Sequence, residues 1–359
     1  MASRRERMPM PLIADASQAR EVYQEARERG VALINLNPEG ARGIEACLRA
    51  AKRFGERAGA DDIPIILSIC GVYDHRPQIK LYTSLGDPQF GFDAWLKDVE
   101  FYTQADGPFG RLRVLTHLDH GQPEEDAAIL ERRLEKLSSV MFDASTVPFD
   151  DNVAATASYV ERHSEHTVIE GCVDEIFEAG TGEQKNQTTT VEQATRFVAE
   201  TGVDLIVPNL GTEHRASARE LRYHGEQARA LRDAVGSILV LHGTSSLSPE
   251  DFTHLKDDGI IKVNIWTAIE KAGAQAAVRN ALEELGNIFT EAELRELAED
   301  RIVGSRCLDP TYQDEVCEGR LYPKLSHFGE NVRRDAWVAA AQTLVESCLE
   351  DLGYTAFGQ

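Results

Sequence analysis

The stretch Arg113-Val114-Leu115-Thr116-His117-Leu118-Asp119-His120-Gly121 decides how this chain folds. It is an almost continuously apolar run that ends in titratable side chains. A run with no solvated face reads as a strand covered on both sides, the pattern of a parallel sheet rather than a half-exposed one. Two further histidines stand in a similar position: His214 follows the run 205–210 and His242 follows 238–241. Imidazoles far apart in sequence but delivered by successive strand ends suit an open divalent-metal site. Three neutral nitrogens hold the ion, and a fourth position stays available to water or substrate.

Working outward from 113–119, similar runs occupy 31–37, 64–70, 139–145, 167–173, 204–210, 237–242 and 260–265. Helix-like segments alternate with them, at 43–57, 124–137, 151–163, 191–201 and 249–257. Thr190 is placed to cap one helix, and Ser248 followed by Pro249 opens another. Eight alternations of strand and helix predict an α/β protein of the (β/α)8 TIM-barrel class. Chemistry in such a barrel sits at the C-terminal ends of the strands. His117, Asp119, His120, His214 and His242 therefore face one mouth.

Two segments lie outside that count. Residues 71–110 exceed a normal connection and carry Tyr73, Tyr82, Phe90, Phe92, Trp95, Phe101 and Tyr102. They read as an extra helix with loops, its aromatics serving either a local core or a ligand. The stretch 289–359 reads as helical, including 335–352, and offers an oligomer interface. No internal repeat, linker or low-complexity tract marks a second domain. The expected division is a catalytic barrel over 1–285 and a helical extension of the same domain over 286–359.

Composition narrows the partners. The chain has 38 Lys plus Arg against 60 Asp plus Glu, a formal charge of -22, with 42% apolar and 27% charged residues. Such a surface repels nucleic acid and anionic lipid, so neither is an expected partner. An anionic substrate would need local positive charge at the site. The cysteines Cys47, Cys70, Cys172, Cys307, Cys317 and Cys348 show no CxxC spacing, which suits reduced thiols in a cytoplasmic protein. The opening Met-Ala-Ser-Arg-Arg-Glu-Arg lacks the apolar segment of a secretory signal. No run reaches the length of a transmembrane helix.

The ordered motifs His117-Leu-Asp-His120-Gly, Ser139-Val-Met-Phe-Asp143-Ala-Ser, Gly211-Thr-Glu-His214, Leu239-Val-Leu-His242-Gly243 and Lys262-Val-Asn264-Ile resemble the class II, zinc-dependent ketose-bisphosphate aldolases. Met10-Pro-Leu-Ile and Leu33-Ile-Asn35 are similar to that family's N-terminal pattern, and the resemblance runs from about residue 10 to 285. It marks the chain as a divergent member of the fructose/tagatose-bisphosphate group. It implies that His120, His214 and His242 hold Zn2+, or another divalent ion such as Mn2+ or Co2+. Asp119 would exchange the proton of the hydroxyl that becomes the aldehyde. Asn264 would bind the donor's oxygens, Asn35 and Asp143 would orient groups around the site, and His117 would support it, with a place in the metal's own shell as the alternative. The loop 178–187 corresponds to a lid whose acid takes the second proton, with Glu183 as candidate; a merely solvated Glu183 is the alternative. The resemblance also implies a homodimer or homotetramer acting on a small sugar substrate.

The departures from the family concern the substrate. Gly243-Thr244-Ser245-Ser246 stands where the family has a Gly-Gly-Ser-Gly phosphate cradle. Gly211, Gly243 and Ser245 remain available to a substrate, with reshaped space around the last two. Asn264-Ile265-Trp266-Thr267 replaces an Asn-Ile-Asp-Thr, so Trp266 substitutes an indole for a carboxylate beside Thr267. Arg215 stands where a glycine is usual, either to bind an anion or to pair outward with surface acids. The fifth strand would normally end in Glu-Leu-Gly, and Glu170-Gly171-Cys172 puts Cys172 at or beside the glutamate's place, as a zinc thiolate or as an inert buried thiol. Kept chemistry and a changed substrate is the expectation. A non-catalytic partner subunit is one alternative. A metal-dependent hydrolase is another, although Asn35-Leu36-Asn37 stands where its His-x-His would be.

Overall fold

The fold comes from a computed structural model and is described for residues 12–73, 76–174, 188–212, 223–309, 311 and 324–359. Among the described residues nine strands lie in one parallel sheet: β1 (Leu12–Ile13), β2 (Leu33–Leu36), β3 (Pro64–Cys70), β4 (Arg113–Gly121), β5 (Ser139–Phe142), β6 (Val168–Cys172), β7 (Leu205–Val207), β8 (Leu239–Leu241) and β9 (Ile260–Ile265). β2 through β9 pair in order, and β9 returns to β2, closing a (β/α)8 TIM barrel. Each of the eight runs marked in the sequence carries one of these strands. Every residue of β2, β3, β5, β6, β7, β8 and β9 is buried, as strands covered on both faces require.

The short β1 was not legible in the sequence. It pairs Leu12 with Val114 and Ile13 with Leu115, along the edge of β4 that β5 takes from His117 onward. Ser138 seals that joint. Its hydroxyl accepts the Thr116 amide at 2.8 Å and donates to the Ile13 carbonyl. β4 is the longest strand and carries a register shift against β5 between Leu118 and Gly121. His120, inside that irregularity, sits in the left-handed region at φ 47°. A non-glycine residue holds such a backbone only where its surroundings demand it.

Helices flank the strands much as the periodicity indicates. Ala16–Arg29 is capped by Asp15 at its start and by left-handed Gly30 at its end. Val191–Thr201 opens on a capping box between Thr190 and Gln193. The long connection after β3 holds the helix Pro88–Tyr102, in which Phe92 and Trp95 are fully buried core. The expected helix over 124–137 is broken into Ala127–Leu130 and a 3-10 turn, Leu134–Lys136. Competing bonds explain the break. Asp126 uses its carboxylate on the Val72 and Gln122 amides, and the Leu130 carbonyl accepts from the Tyr159 hydroxyl at 2.9 Å.

The chain separates into two compact units. The first contains the barrel together with residues 345–359. There the Tyr354 hydroxyl accepts the Ile34 amide of β2 at 2.9 Å, and the Ala32 amide donates to the Leu352 carbonyl at 3.2 Å. The second unit, 269–344, is helical among its described residues. Inside it Gly273 lies against Trp337 so closely that any Cβ would collide with the indole. Among the described residues no helix is long and apolar enough to cross a membrane.

Candidate active site

Side chains point alternately in and out along a strand. On β4 this alternation sends Leu115, His117 and Asp119 inward, and the bulge then turns His120 to the mouth. Two layers of polar groups result, one inside the barrel and one above it.

The inner layer is fully buried and charged. Lys262 of β9 places its Nζ 2.7 Å from Glu170 Oε2 of β6 and 3.0 Å from His117 Nε2 of β4. His117 Nδ1 is in turn 2.8 Å from Ser139 Oγ of β5. Both imidazole nitrogens of His117 are thus engaged within the barrel, as a support and not as a ligand. Burial and the Lys262 charge hold His117 below its ordinary pKa. Burial alone would raise the Glu170 carboxyl, but Lys262, His242 and His117 bring it down to about 2. Glu170 Oε1 reaches up to within 3.4 Å of His242 Nε2, linking the layers.

The upper layer surrounds a cavity lined by Asn37, Cys70, Asp119, His120, His242 and Asn264 on the barrel side. Tyr73, Arg76, Gly243, Thr244, Ser245, Trp266 and Thr267 complete its wall. Asp119, His120 and His242 offer ligand atoms that all lie within 4.8 Å of one another, and all three residues are buried. His120 is fixed from two sides: its Nδ1 lies 2.7 Å from Asp143 Oδ2, and Tyr73 stacks on its ring at 4.2 Å and 6°. Asp143 is itself held by the Ser145 amide and hydroxyl, at 3.2 and 2.6 Å. With Nδ1–H donated to Asp143, Nε2 is the nitrogen that would bind a metal.

Asp119 is gripped at both oxygens. Oδ2 accepts from Asn37 Nδ2 at 2.8 Å and Cys70 Sγ at 3.3 Å, and Oδ1 from Asn264 Nδ2 at 3.1 Å. Burial raises its pKa, yet His120, His242 and His117 hold the carboxyl well below the usual range. Burial and the adjacent Asp119 charge push the Cys70 thiol well up, so it stays a donor. Buried Asn264 Oδ1 has no hydrogen-bond partner among the described residues, which leaves an acceptor at the cavity wall. Buried nitrogen and carboxylate donors backed by a carboxylate–histidine pair fit a divalent metal such as zinc.

Other sequence candidates fall as follows. Gly243, Ser245, Asn264, Trp266 and Thr267 line the cavity. Gly211 lies outside that lining, at φ 80°, its amide held by Asn209 Oδ1 at 2.9 Å. Asn35 sits below the cavity, with its Nδ2 3.4 Å from Asn37 Oδ1, so Asn37 is the asparagine that meets Asp119. Cys172 donates to the Asp174 carbonyl at 3.2 Å, apart from the Asp119–His120–His242 cluster, and Glu170 is the β6 side chain beside His242. Glu183, His214 and Arg215 lie outside the described residues.

Sequence reasoning missed Asn37, Cys70, Tyr73, Arg76 and the Glu170–Lys262 pair. Arg76 is almost fully buried. It donates to Glu39 Oε1 at 3.0 Å and to the Asn37 carbonyl at 3.1 Å, and its guanidinium lies 3.6 Å from the Trp266 ring centre. Trp266 Nε1 also donates to Glu39, at 3.1 Å. The indole thus packs on a cation, an arrangement with its own electrostatic stabilisation.

The sequence profile described as fructose-bisphosphate aldolase class-II matches residues 17–303. The chain is 30% identical over 199 residues to the uncharacterized protein YdjI of Escherichia coli K12, covering 52% of this chain and 68% of that one. It is 33% identical over 174 residues to the D-tagatose-1,6-bisphosphate aldolase subunit GatY of Klebsiella oxytoca, covering 46% and 59% respectively. The fructose-bisphosphate aldolase of Campylobacter jejuni superposes with a TM-score of 0.72 at 18% identity, over 94% of this chain and 95% of its own. The YdjI aldolase structure gives a TM-score of 0.57 at 21% identity, over 93% and 96%. At those identities the two structures speak for the fold.

Proposed function

The chain belongs to the class II fructose-bisphosphate aldolase family, and from that premise we propose that it is a metal-dependent lyase performing reversible retro-aldol cleavage. The substrate is a ketose phosphate, a ketose bisphosphate or a related anionic hydroxy-ketone. The observation that carries this reading is the buried Asp119–His120–His242 cluster at the barrel mouth, with Asp143 behind His120.

His120 and His242 would hold the metal, with His214 as the third imidazole. Zn2+ suits these donors, and Mn2+ or Co2+ are the other candidates. The bound ion would supply positive charge to the oxygens on which negative charge develops as the carbon–carbon bond breaks. Asp119, held as a carboxylate, takes the proton of the hydroxyl on the carbon that becomes the aldehyde. The bonding pair then passes to the ketone fragment, and a proton delivered to that carbon completes cleavage; Glu183 is our candidate for that delivery. Asn264 presents its side chain to the donor's oxygens. Gly243, Ser245, Trp266 and Thr267 bound the rest of the substrate, Gly211, outside that lining, and Arg215 remain sequence candidates, and the exchange of a carboxylate for Trp266 makes the preferred ketose differ from the family's usual one. We further propose a cytoplasmic homodimer or homotetramer.

The test is direct. Purified protein is analysed for metal, then incubated with ketose 1-phosphates and 1,6-bisphosphates, with and without EDTA, while triose formation is followed. Stoichiometric metal and EDTA-sensitive cleavage support the reading. Metal-free protein with no cleavage points to a non-catalytic subunit, and cleavage that survives EDTA overturns the metal's role.

A further inference from the structure

The proton role of Asp119 leaves open what decides which of its oxygens meets the substrate, and the assignment of that oxygen rests on that role. A carboxylate turns broadly about its last torsion unless its partners stop it. Here the partners are unequal. Oδ2 takes two donors from neighbouring strand ends, Asn37 Nδ2 at 2.8 Å and Cys70 Sγ at 3.3 Å. Oδ1 takes Asn264 Nδ2 at 3.1 Å and lies 3.8 Å from His117 Nε2 and 3.9 Å from His242 Nε2.

The two donors on Oδ2 also hold each other. Asn37 Nδ2 is 3.6 Å from Cys70 Sγ, so Asn37, Cys70 and Asp119 close a triangle. Asn37 is braced behind by Asn35 Nδ2, 3.4 Å from its Oδ1, and through its carbonyl by Arg76 at 3.1 Å. The Cys70 amide donates to Gln78 Oε1 at 2.8 Å, which fixes the strand end that carries the thiol. Asn35, Asn37, Cys70 and Gln78 are all buried, and a braced buried network specifies one arrangement.

We propose that Asn37 and Cys70 are positioning residues that hold Asp119 Oδ2, so that Oδ1 is the oxygen presented to the substrate hydroxyl. Neither touches the reacting atoms. Each acts by fixing the plane of the carboxylate. The thiol's role is that of a hydrogen-bond donor, which a hydroxyl can take over and a methyl cannot.

The test uses the full chain in wild-type, C70A, C70S, N37A, N37A/C70A and D119N forms. One readout is the Asp119 carboxylate plane in high-resolution crystal structures. The other is steady-state cleavage of fructose 1,6-bisphosphate and tagatose 1,6-bisphosphate at equal metal content. Expected are a kcat lowered about tenfold in C70A and about a hundredfold in N37A, the scale of a misplaced catalytic group. KM should be unchanged, C70S should recover the C70A loss, and the plane should be rotated in N37A/C70A. An unrotated plane in the double variant overturns the proposal whatever the rates. So does a C70S as slow as C70A. If D119N keeps the wild-type rate, the proton role of Asp119 fails instead, and the crystal readout still decides whether Asn37 and Cys70 hold the carboxylate.

Discussion

His120 Nδ1 and Asp143 Oδ2 stand 2.7 Å apart, one from the bulge of β4 and the other just past β5, and the contact joins neighbouring strands at the mouth. It selects the imidazole tautomer and aims the ring. Removing it should therefore act on metal affinity before it acts on fold.

For D143A we expect a metal dissociation constant raised about ten- to a hundredfold, the usual cost of losing such an outer partner. Competition with a chromogenic chelator measures it, and circular dichroism of the metal-free protein should match wild type. An unchanged affinity would remove Asp143 from the metal site.

Lys262 and Glu170 form an ion pair with both side chains at 0% exposure. K262M leaves the Glu170 carboxylate without its nearest compensating cation and should destabilise the barrel by about 3–5 kcal/mol in urea unfolding. The double variant K262M/E170M should regain most of that loss, because two apolar side chains replace a desolvated pair. A single variant as stable as wild type would contradict the pairing.

Asp126 gives a pH dependence. Burial is the largest influence on it and raises its carboxyl from 3.8 to about 6, outweighing the Gln122 and Val72 amides. A carboxyl raised on folding binds its proton more tightly when folded, so its favourable contribution is complete below pH 3.8 and is lost as pH rises through about 6. The full swing is roughly 3 kcal/mol. Wild type minus D126N, measured by denaturant titration at steps from pH 4 to pH 7, should fall across that window. A flat difference would mean that the carboxyl titrates normally.

Tyr354 tests the outer support of β2. Its buried hydroxyl accepts the Ile34 amide, and Y354F leaves that amide without an acceptor. The expected loss is about 1–3 kcal/mol of unfolding free energy, with metal content unchanged.

The strands were legible because burial on both faces writes continuous apolar runs, and the shared mouth followed from strand order. The site was legible only where a residue type announces its chemistry, as His120, His242 and Asp119 do. Asn37 and Cys70 carry no such signal, since an asparagine past a strand and an apolar-looking thiol gain meaning only when β2, β3 and β4 are set side by side. Glu170 and Cys172, two positions apart on β6, could be ranked only with Lys262 and His242 in place. The break within 124–137 came from tertiary bonds at Asp126 and Leu130, which helical periodicity does not encode.

The Ile34–Tyr354 bond also bears on how the protein is made. Its two ends are separated by 320 positions, and the whole helical second unit is synthesised between them. On the ribosome, β2 emerges early, and its Ile34 amide must wait for this acceptor until residue 354 has been translated. The Ile34 amide therefore finds this partner only after the second unit has been synthesised, so this joint of the barrel unit cannot close while that unit is still emerging.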